Sequence, residues 1–237
     1  MGGSPCEKRW IIRDLARIRD SGMIMPASAI SCPGHTGAMT IDTVPYPQDL
    51  TDGVVRLRAY RDDDAEALAE AIRESSTSAG RWIPWAHAGY DATTALDWIH
   101  QCKQDWLMGV GYEMVIVDAS NDRILGGMGV NQRHREHGFA NLGYWLRVSA
   151  RGKGHVTRAG KLALTFAFGP AALSRIEIVA AHDNWPSRKA AKRIGGIFEG
   201  LLRNRLIINK TPVDAAMYSV VPGDLQIAAA HILSRSE

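Results

Sequence analysis

Ser149-Ala150-Arg151-Gly152-Lys153-Gly154-His155-Val156-Thr157-Arg158 is a basic glycine turn set between two different periodicities. Before it, Phe139 to Val148 reads as a strand; after it, Leu162, Leu164, Phe166 and Phe168 mark an apolar helix from about Gly154 to Phe168. Strand, glycine turn and helix N-terminus are the parts of an anion site. Glycines let backbone amides approach the anion, the first helical amides have no intrahelical partner, and the helix dipole favours negative charge there. The loop lacks Walker spacing, and its G-x-G lacks the third glycine and downstream acid of a dinucleotide fold. Taken alone, it is equally a tight turn whose glycines supply positive φ.

A second stretch gives the loop its meaning. After a strand ending in Ala180-Ala181-His182 stands Asp183-Asn184-Trp185-Pro186-Ser187-Arg188-Lys189-Ala190-Ala191, then Arg193-Ile194-Gly195-Gly196-Ile197-Phe198-Glu199-Gly200-Leu201-Leu202-Arg203. The run N-x-x-S, with glycine eleven residues after the Asn and E-G-x-x-R beyond it, resembles the GNAT superfamily of acyl-CoA transferases, and within it the RimJ/RimL-type N-acetyltransferases. Other matches follow in order: Leu57-Arg58 with Asp64-Ala65, Trp82-Ile83-Pro84-Trp85, Gly143-Tyr144-Trp145-Leu146, Phe166-Ala167-Phe168, and Asp214 with Met217-Tyr218. The likeness spans about Val54 to Val221. Two positions depart from it. Val156 stands where the family favours glycine or alanine, a bulkier side chain near the expected pyrophosphate; Gly196 stands where the family favours Phe, with Ile197 or Phe198 expected to refill the space.

Outward from these stretches the chain alternates regular elements. A strand-like run Val54 to Ala59 stops at Arg61-Asp62-Asp63-Asp64, acidic residues suited to capping a helix that runs to about Ser75. Asp91 to Leu107 reads as a second helix. Tyr112–Val117, Arg123–Val130 and Phe139–Val148 read as an antiparallel meander, the last two joined by polar Gln132 to Gly138. Beyond the glycine loop come the strand Arg175–Ala180, the helix Trp185–Ile194, and strands near Ile197–Ile208 and Val213–Val221. The class is α+β, and the resemblance implies a GNAT-like mixed, largely antiparallel central sheet flanked by helices. Residues 1–50 read as an appended segment, a helix over Glu7 to Asp20 and a Pro/Gly-rich linker; 51–222 form the acetyltransferase domain and 223–237 a tail.

Composition bounds the rest. With 237 residues, 46% hydrophobic and 22% charged, the bulk of the chain is neither disordered nor collagen-like. Its longest nearly apolar stretch, Leu162 to Leu173, is shorter than the roughly 20 residues that cross a bilayer, so no membrane partner is expected. Cys6, Cys32 and Cys102 are odd in number and scattered, which favours a reducing compartment, the cytoplasm. No second Cys/His pair sits at metal-ligand spacing, so no metal is expected. The net charge of +3 hides a basic region: Arg147 to Lys210 holds thirteen basic residues against Glu177, Asp183 and Glu199. Local charge of that sign suits an anionic ligand, and with no nucleic-acid motif spacing or interleaved aromatics, nucleic acid is not the expected one.

The resemblance implies acetyl-CoA as acetyl donor. Backbone groups of Leu146, Arg147 and Val148 would meet pantetheine, amides of Arg151, Gly152, Lys153, Gly154, His155, Val156 and Thr157 the pyrophosphate. Ser187 would assist the leaving thiolate, with Asn184 fixing the helix entrance or the pantetheine; Asn and Ser at that place are equally a helix cap. The acceptor implied is an amine-bearing small molecule or a protein N-terminus. Free amines have a pKa of about 7.7–8.0 at an α-amino group and about 10.4 at lysine, so a base is needed at neutral pH. Glu113, on the first meander strand, is the candidate base, or else an ordinary exposed strand glutamate; Asn131 and His134 are weaker alternatives. Trp82, Trp85 and Tyr144 are candidates for lining the acceptor cleft. A CoA-binding module without transfer activity is the alternative reading, and exposed sheet edges leave a homodimer open.

Overall fold

A computed structural model of the chain describes residues 44–47 and 50–225. The helix expected over Glu7 to Asp20, most of the linker after it and most of the expected tail lie outside the described residues. Within them stand β1 (Leu50–Thr51), β2 (Val55–Arg58), α1 (Ala65–Ala79), α2 (Ala92–Leu107), β3 (Tyr112–Asp118), β4 (Ile124–His134), β5 (Phe139–Leu146), α3 (His155–Phe168), β6 (Arg175–Ala181), α4 (Trp185–Ile194), β7 (Ile197–Ile208) and β8 (Thr211–Val220). One eight-stranded sheet runs in the order β1-β2-β3-β4-β5-β6-β8-β7. All of its neighbours are antiparallel except β5 and β6, which are parallel.

Helices cover both faces of this sheet, and β3 records it in sequence. Successive strand residues point to opposite faces, so a strand covered on both sides is apolar at every position. Met114, Val115, Ile116 and Val117 are all fully buried. Met114 and Ile116 join the core under α3 and α4, with Met128, Val130, Leu164, Phe166 and Ile194. Val115 and Val117 join the core under α1 and α2, with Leu68, Ile72, Ala95 and Ile99. The sheet therefore has an α1–α2 face and an α3–α4 face, a division that governs the active site.

Local chemistry sets the helix starts. Asp91 caps α2, its carboxylate accepting from the Thr94 amide at 2.8 Å. Asn184 caps α4, accepting from the Ser187 amide at 3.2 Å. The acidic run before α1 does something else. Rather than capping helical amides, the Asp64 carboxylate takes both ends of the buried Arg58 guanidinium at 2.7 and 2.8 Å and the Arg61 amide at 2.8 Å. Asp122, from the β3–β4 turn, also accepts from Arg58 at 3.2 Å and from Arg56 at 2.8 Å. These charges tie the end of β2 to the start of α1 and to the meander. Two boundaries also differ from the sequence reading. α1 continues to Ala79, and β4 runs through the expected polar connection to His134, with a register shift between Asn131 and His134.

The expected refilling around Gly196 does not occur. Ile197 and Phe198 are exposed, and a β-carbon at Gly196 would lie 2.9 Å from the Ala191 carbonyl oxygen and 3.1 Å from Tyr218 Cβ. Close approach of α4 to β8 requires the glycine.

Arg58 and Asp64 are both buried, and removing Asp64 leaves the Arg58 charge only its longer bonds to the half-buried Asp122. Asp64→Ala is expected to cost about 1.5–3 kcal/mol of stability, the loss of hydrogen bonds to a charged group, seen as a lower urea midpoint. An unchanged midpoint would show that the pair does not hold β2 to α1.

Candidate active site

β5 and β6 run side by side only at Phe139–Arg175, Ala140–Ile176 and Asn141–Glu177. Beyond those pairs they part, β5 following β4 as far as Leu146 and β6 following β8 to Ala181. A cavity of about 770 Å³ occupies the fork, walled from both faces of the sheet. The Arg147 amide donates to the Leu125 carbonyl of β4 at 2.9 Å. Strand alternation then turns the backbone groups of Leu146 and Tyr144 away from β4 and into the fork.

The glycine loop closes one end. Gly152 and Gly154 have φ of 76° and 80°, left-handed values that a side chain would strain. They let the chain turn from β5 straight into α3, which begins with no side-chain cap. The Arg151 amide is bonded to the Val148 carbonyl and the Thr157 amide to that of Gly154, both at 3.1 Å. Those two drop out of the expected anion-binding set. The amides of residues 152–156 make no hydrogen bond among the described residues, and the buried His155 Nδ1 has no partner. Consecutive unpaired donors at a helix N-terminus fit a diphosphate. Val156 lines the cavity yet also packs against the core under α3, so part of its extra bulk is absorbed there.

Two other expected cofactor residues, Arg147 and Val148, lie elsewhere. The Arg147 side chain is buried and points to α1, donating to Glu74 at 2.7 Å and Glu70 at 2.6 Å. The Ser149 amide donates to Glu74 at 2.7 Å and the Val148 amide to the Ser75 hydroxyl at 3.2 Å. Burial alone would raise the Glu74 carboxyl, but the bonds from Arg147 and Ser149 hold it at about 2. Arg147 and Val148 thus fasten the root of the loop to α1 instead of lining the cavity. Lys153 lines an adjoining concavity with Arg158, Lys161 and Arg193, a basic patch beside the loop.

On the α3–α4 face, Tyr144 reaches across the fork to α4. Its hydroxyl donates to the Ser187 carbonyl at 3.0 Å and sits 3.2 Å from Ser187 Oγ. Burial pushes the Tyr144 hydroxyl up to about 12, so it keeps its proton at neutral pH. Asn184, Ser187 and Tyr144 all line the cavity. Asn184 does so as the cap of α4, which fixes the position of Ser187.

On the α1–α2 face lies Glu113, a wall of the cavity and not an outward-facing strand residue. It folds over Gly129, its partner on β4; a β-carbon there would lie 1.9 Å from Glu113 Oε2. Asn131 donates to Glu113 Oε1 at 2.8 Å, and Asn141 donates to Asn131 at 3.0 Å. Burial raises the Glu113 carboxyl above its ordinary range, the Asn131 bond opposing it. Asn131 is therefore a hydrogen-bond partner of Glu113. Trp82 and Trp85, in the α1–α2 connection, cover this side, and Trp85 meets Trp145 edge-on at 6.0 Å. His134 is away from the cavity, stacked between His137 and Phe139 in the β4–β5 hairpin. Asn141 and Tyr60 line the cavity without any sequence signal that singled them out; Asn141 would have followed from pairing β4 with β5 in register.

Comparison with known proteins agrees with this fold. The Acetyltransferase (GNAT) domain family matches residues 55–197. A Bacillus subtilis protein, YdaF, named among ribosomal N-acetyltransferases, is 31% identical over 172 residues, covering 70% of this chain and 91% of its own length. The microcin C7 self-immunity acetyltransferase MccE, solved with acetyl-CoA and AMP, superposes with a TM-score of 0.65 at 25% identity, over 73% of this chain and 94% of its own. Mycobacterium smegmatis RimJ, solved with a CoA-disulfide, shares the fold with a TM-score of 0.70 at 23% identity, over 81% of this chain and 93% of its own. The chain belongs to the GNAT acetyltransferase family, and it is an N-acetyltransferase.

Gly129 carries no catalytic group, yet the position of Glu113 depends on it. Gly129→Ala is expected to lower kcat at least about a hundredfold by displacing the carboxylate, the lower bound for losing a general base. Calorimetric affinity for acetyl-CoA should stay within a few-fold of wild type. Unchanged kcat would mean that the Glu113 position is not needed.

Proposed function

We propose that the protein transfers the acetyl group of acetyl-CoA directly to a primary amine entering over the α1–α2 face, with Glu113 as base and Tyr144 with Ser187 as proton donors. Acetyl-CoA is the acetyl donor, and it brings an activated thioester. What carries the reading is one cavity joining three features: a row of unpaired amides at the glycine loop, a Tyr–Ser hydroxyl pair in the fork, and a carboxylate of raised pKa on the opposite face.

The amides of residues 152–156, aided by His155, hold the diphosphate. The neighbouring Lys153 and Lys161 supply positive charge beside it, Arg158 being paired with Asp52 at 2.8 Å. As the amine nitrogen bonds to the acetyl carbon, its proton passes to a Glu113 oxygen and the carbon–sulfur bond breaks. The departing sulfur takes its proton from the Tyr144–Ser187 pair, Tyr144 being protonated throughout the neutral range. Glu113 then gives its proton up to solvent and the Tyr144–Ser187 pair takes one back, so the protons balance over the cycle, and no covalent enzyme intermediate is needed. Cys102, whose thiol burial pushes up, is unsuited to nucleophilic attack.

For the acceptor, a protein N-terminus is favoured by the ribosomal name of YdaF and by an Escherichia coli relative, 28% identical over 109 residues, named ribosomal-protein-serine acetyltransferase. A small-molecule amine is the second reading, supported by the likeness to MccE. Both suit the aromatic cover of Trp82 and Trp85. A cytoplasmic setting is supported by the buried unpaired Cys102.

Glu113 acts as a base only when ionised, and its pKa is raised. The kcat profile should therefore fall on the acid side with a midpoint above the ordinary carboxylate value of about 4.3. Glu113→Gln should remove that limb and lower kcat by about 10²–10⁴-fold while acetyl-CoA still binds. Ser187→Ala should likewise lower turnover more than coenzyme affinity. An active Glu113→Gln enzyme with the same acid limb would rule Glu113 out as the base.

A further inference from the structure

The proton-transfer groups leave one part of the cavity unexplained. Next to Gly129 on the same face of β4 lies Gly127, and a β-carbon built there would be 2.6 Å from the Tyr60 hydroxyl and 2.6 Å from Trp145 Nε1. Two polar atoms of different elements thus converge on one point. Neither has a hydrogen-bond partner among the described residues, although the Tyr60 side chain is buried and both residues wall the cavity. Their placement is not incidental. Tyr60 lies two residues beyond the end of β2, in the segment whose ends the Arg58–Asp64 pair ties together, while Trp145 is opposite Gly127 in the β4–β5 register and braced by Trp85. Only glycine at 127 leaves room for both.

We infer that Tyr60 and Trp145 form a donor pair that takes an oxygen of the acceptor, so that the enzyme selects amines carrying nitrogen and oxygen on adjacent carbons. This rests on the acetyltransferase reading and on Glu113 as the group that meets the amine. Indole N–H can only donate, and a buried tyrosine whose pKa lies well above its usual value stays a donor. Two convergent donors suit an acceptor oxygen with its two lone pairs. Position fixes the rest. Gly127 and Gly129 are two residues apart on one strand, about 7 Å. Each hydrogen bond spans about 2.9 Å, so between the Glu113 carboxylate and the donor pair there is space for an N–C–C–O unit slightly bent. A longer amine such as a lysine side chain carries no oxygen at that distance.

Two sources present this unit: an α-aminoacyl group, with its carbonyl, and a 2-amino alcohol, as in an amino sugar. Leaving the two donors without a partner costs affinity, which gives the enzyme its discrimination.

The test compares kcat/KM for glycinamide, 2-aminoethanol and propylamine at saturating acetyl-CoA in wild type, Tyr60→Phe and Trp145→Phe. Taking each oxygen-bearing amine relative to propylamine, and wild type relative to variant, cancels the different basicities of the amines. The preference for at least one oxygen-bearing amine should fall about tenfold in each variant. The amine with the larger fall names the source, carbonyl or hydroxyl. Calorimetric binding of acetyl-CoA reports that each variant is folded, and two independent variants guard against loss of one. Preferences unchanged in both variants would overturn the inference while leaving the transferase reading standing. Wild type that acetylates none of the three would overturn the transferase reading, and the inference with it.

Discussion

Two parallel strands that pair for three residues and then separate create the site. A sheet normally satisfies its backbone by continuing the ladder, so an opening in mid-sheet leaves strand groups in need of partners. Here β4 and β8 hold the two arms apart, each pairing with its own neighbour well past the point of divergence. Helices close the gap above and below. The fork is thus a fixed opening with polar backbone on its edge and apolar walls, the surroundings an extended amide-bearing ligand requires.

Strand alternation then sorts the chemistry. Tyr144 and Trp145 are adjacent in sequence but point to opposite faces, one to the Ser187 hydroxyl and the other toward the acceptor side. Glu113 shares the second face with Trp145. One cavity reached from both sides sets the Glu113 carboxylate on one face and the Tyr144–Ser187 hydroxyls on the other, so that under the proposed mechanism the group taking a proton and the groups giving one do not compete. Rigidity comes from charge: Arg147 binds the loop root to Glu70 and Glu74 on α1, and Arg58 holds the end of β2.

Much of this was legible in the chain. The continuous apolar run of β3, the Asn184 cap and the R-G-K-G turn each follow from local rules that the tertiary structure does not alter. The parts that were not legible depend on pairs distant in sequence. Arg147 reads as part of the strand whose backbone meets pantetheine, yet its side chain finds Glu70 and Glu74 on α1, partners distant in sequence. Asp64 reads as a cap because its sequence neighbours are helical, but the buried Arg58 competes for it and offers two hydrogen bonds. Glu113 reads as exposed by alternation; its burial depends on Gly129, a residue on another strand with no side chain to give a signal. Tyr60 has meaning only once Gly127 stands beneath it.

The central claim is that the fork and its unpaired amides form a coenzyme site in spite of Val156. Calorimetric titration of the full chain with acetyl-CoA, with ATP as control, tests it most directly. The structure predicts micromolar binding of acetyl-CoA at one site per chain and none of ATP, since the fork must be filled as well as the phosphate loop. No binding at millimolar acetyl-CoA would contradict it.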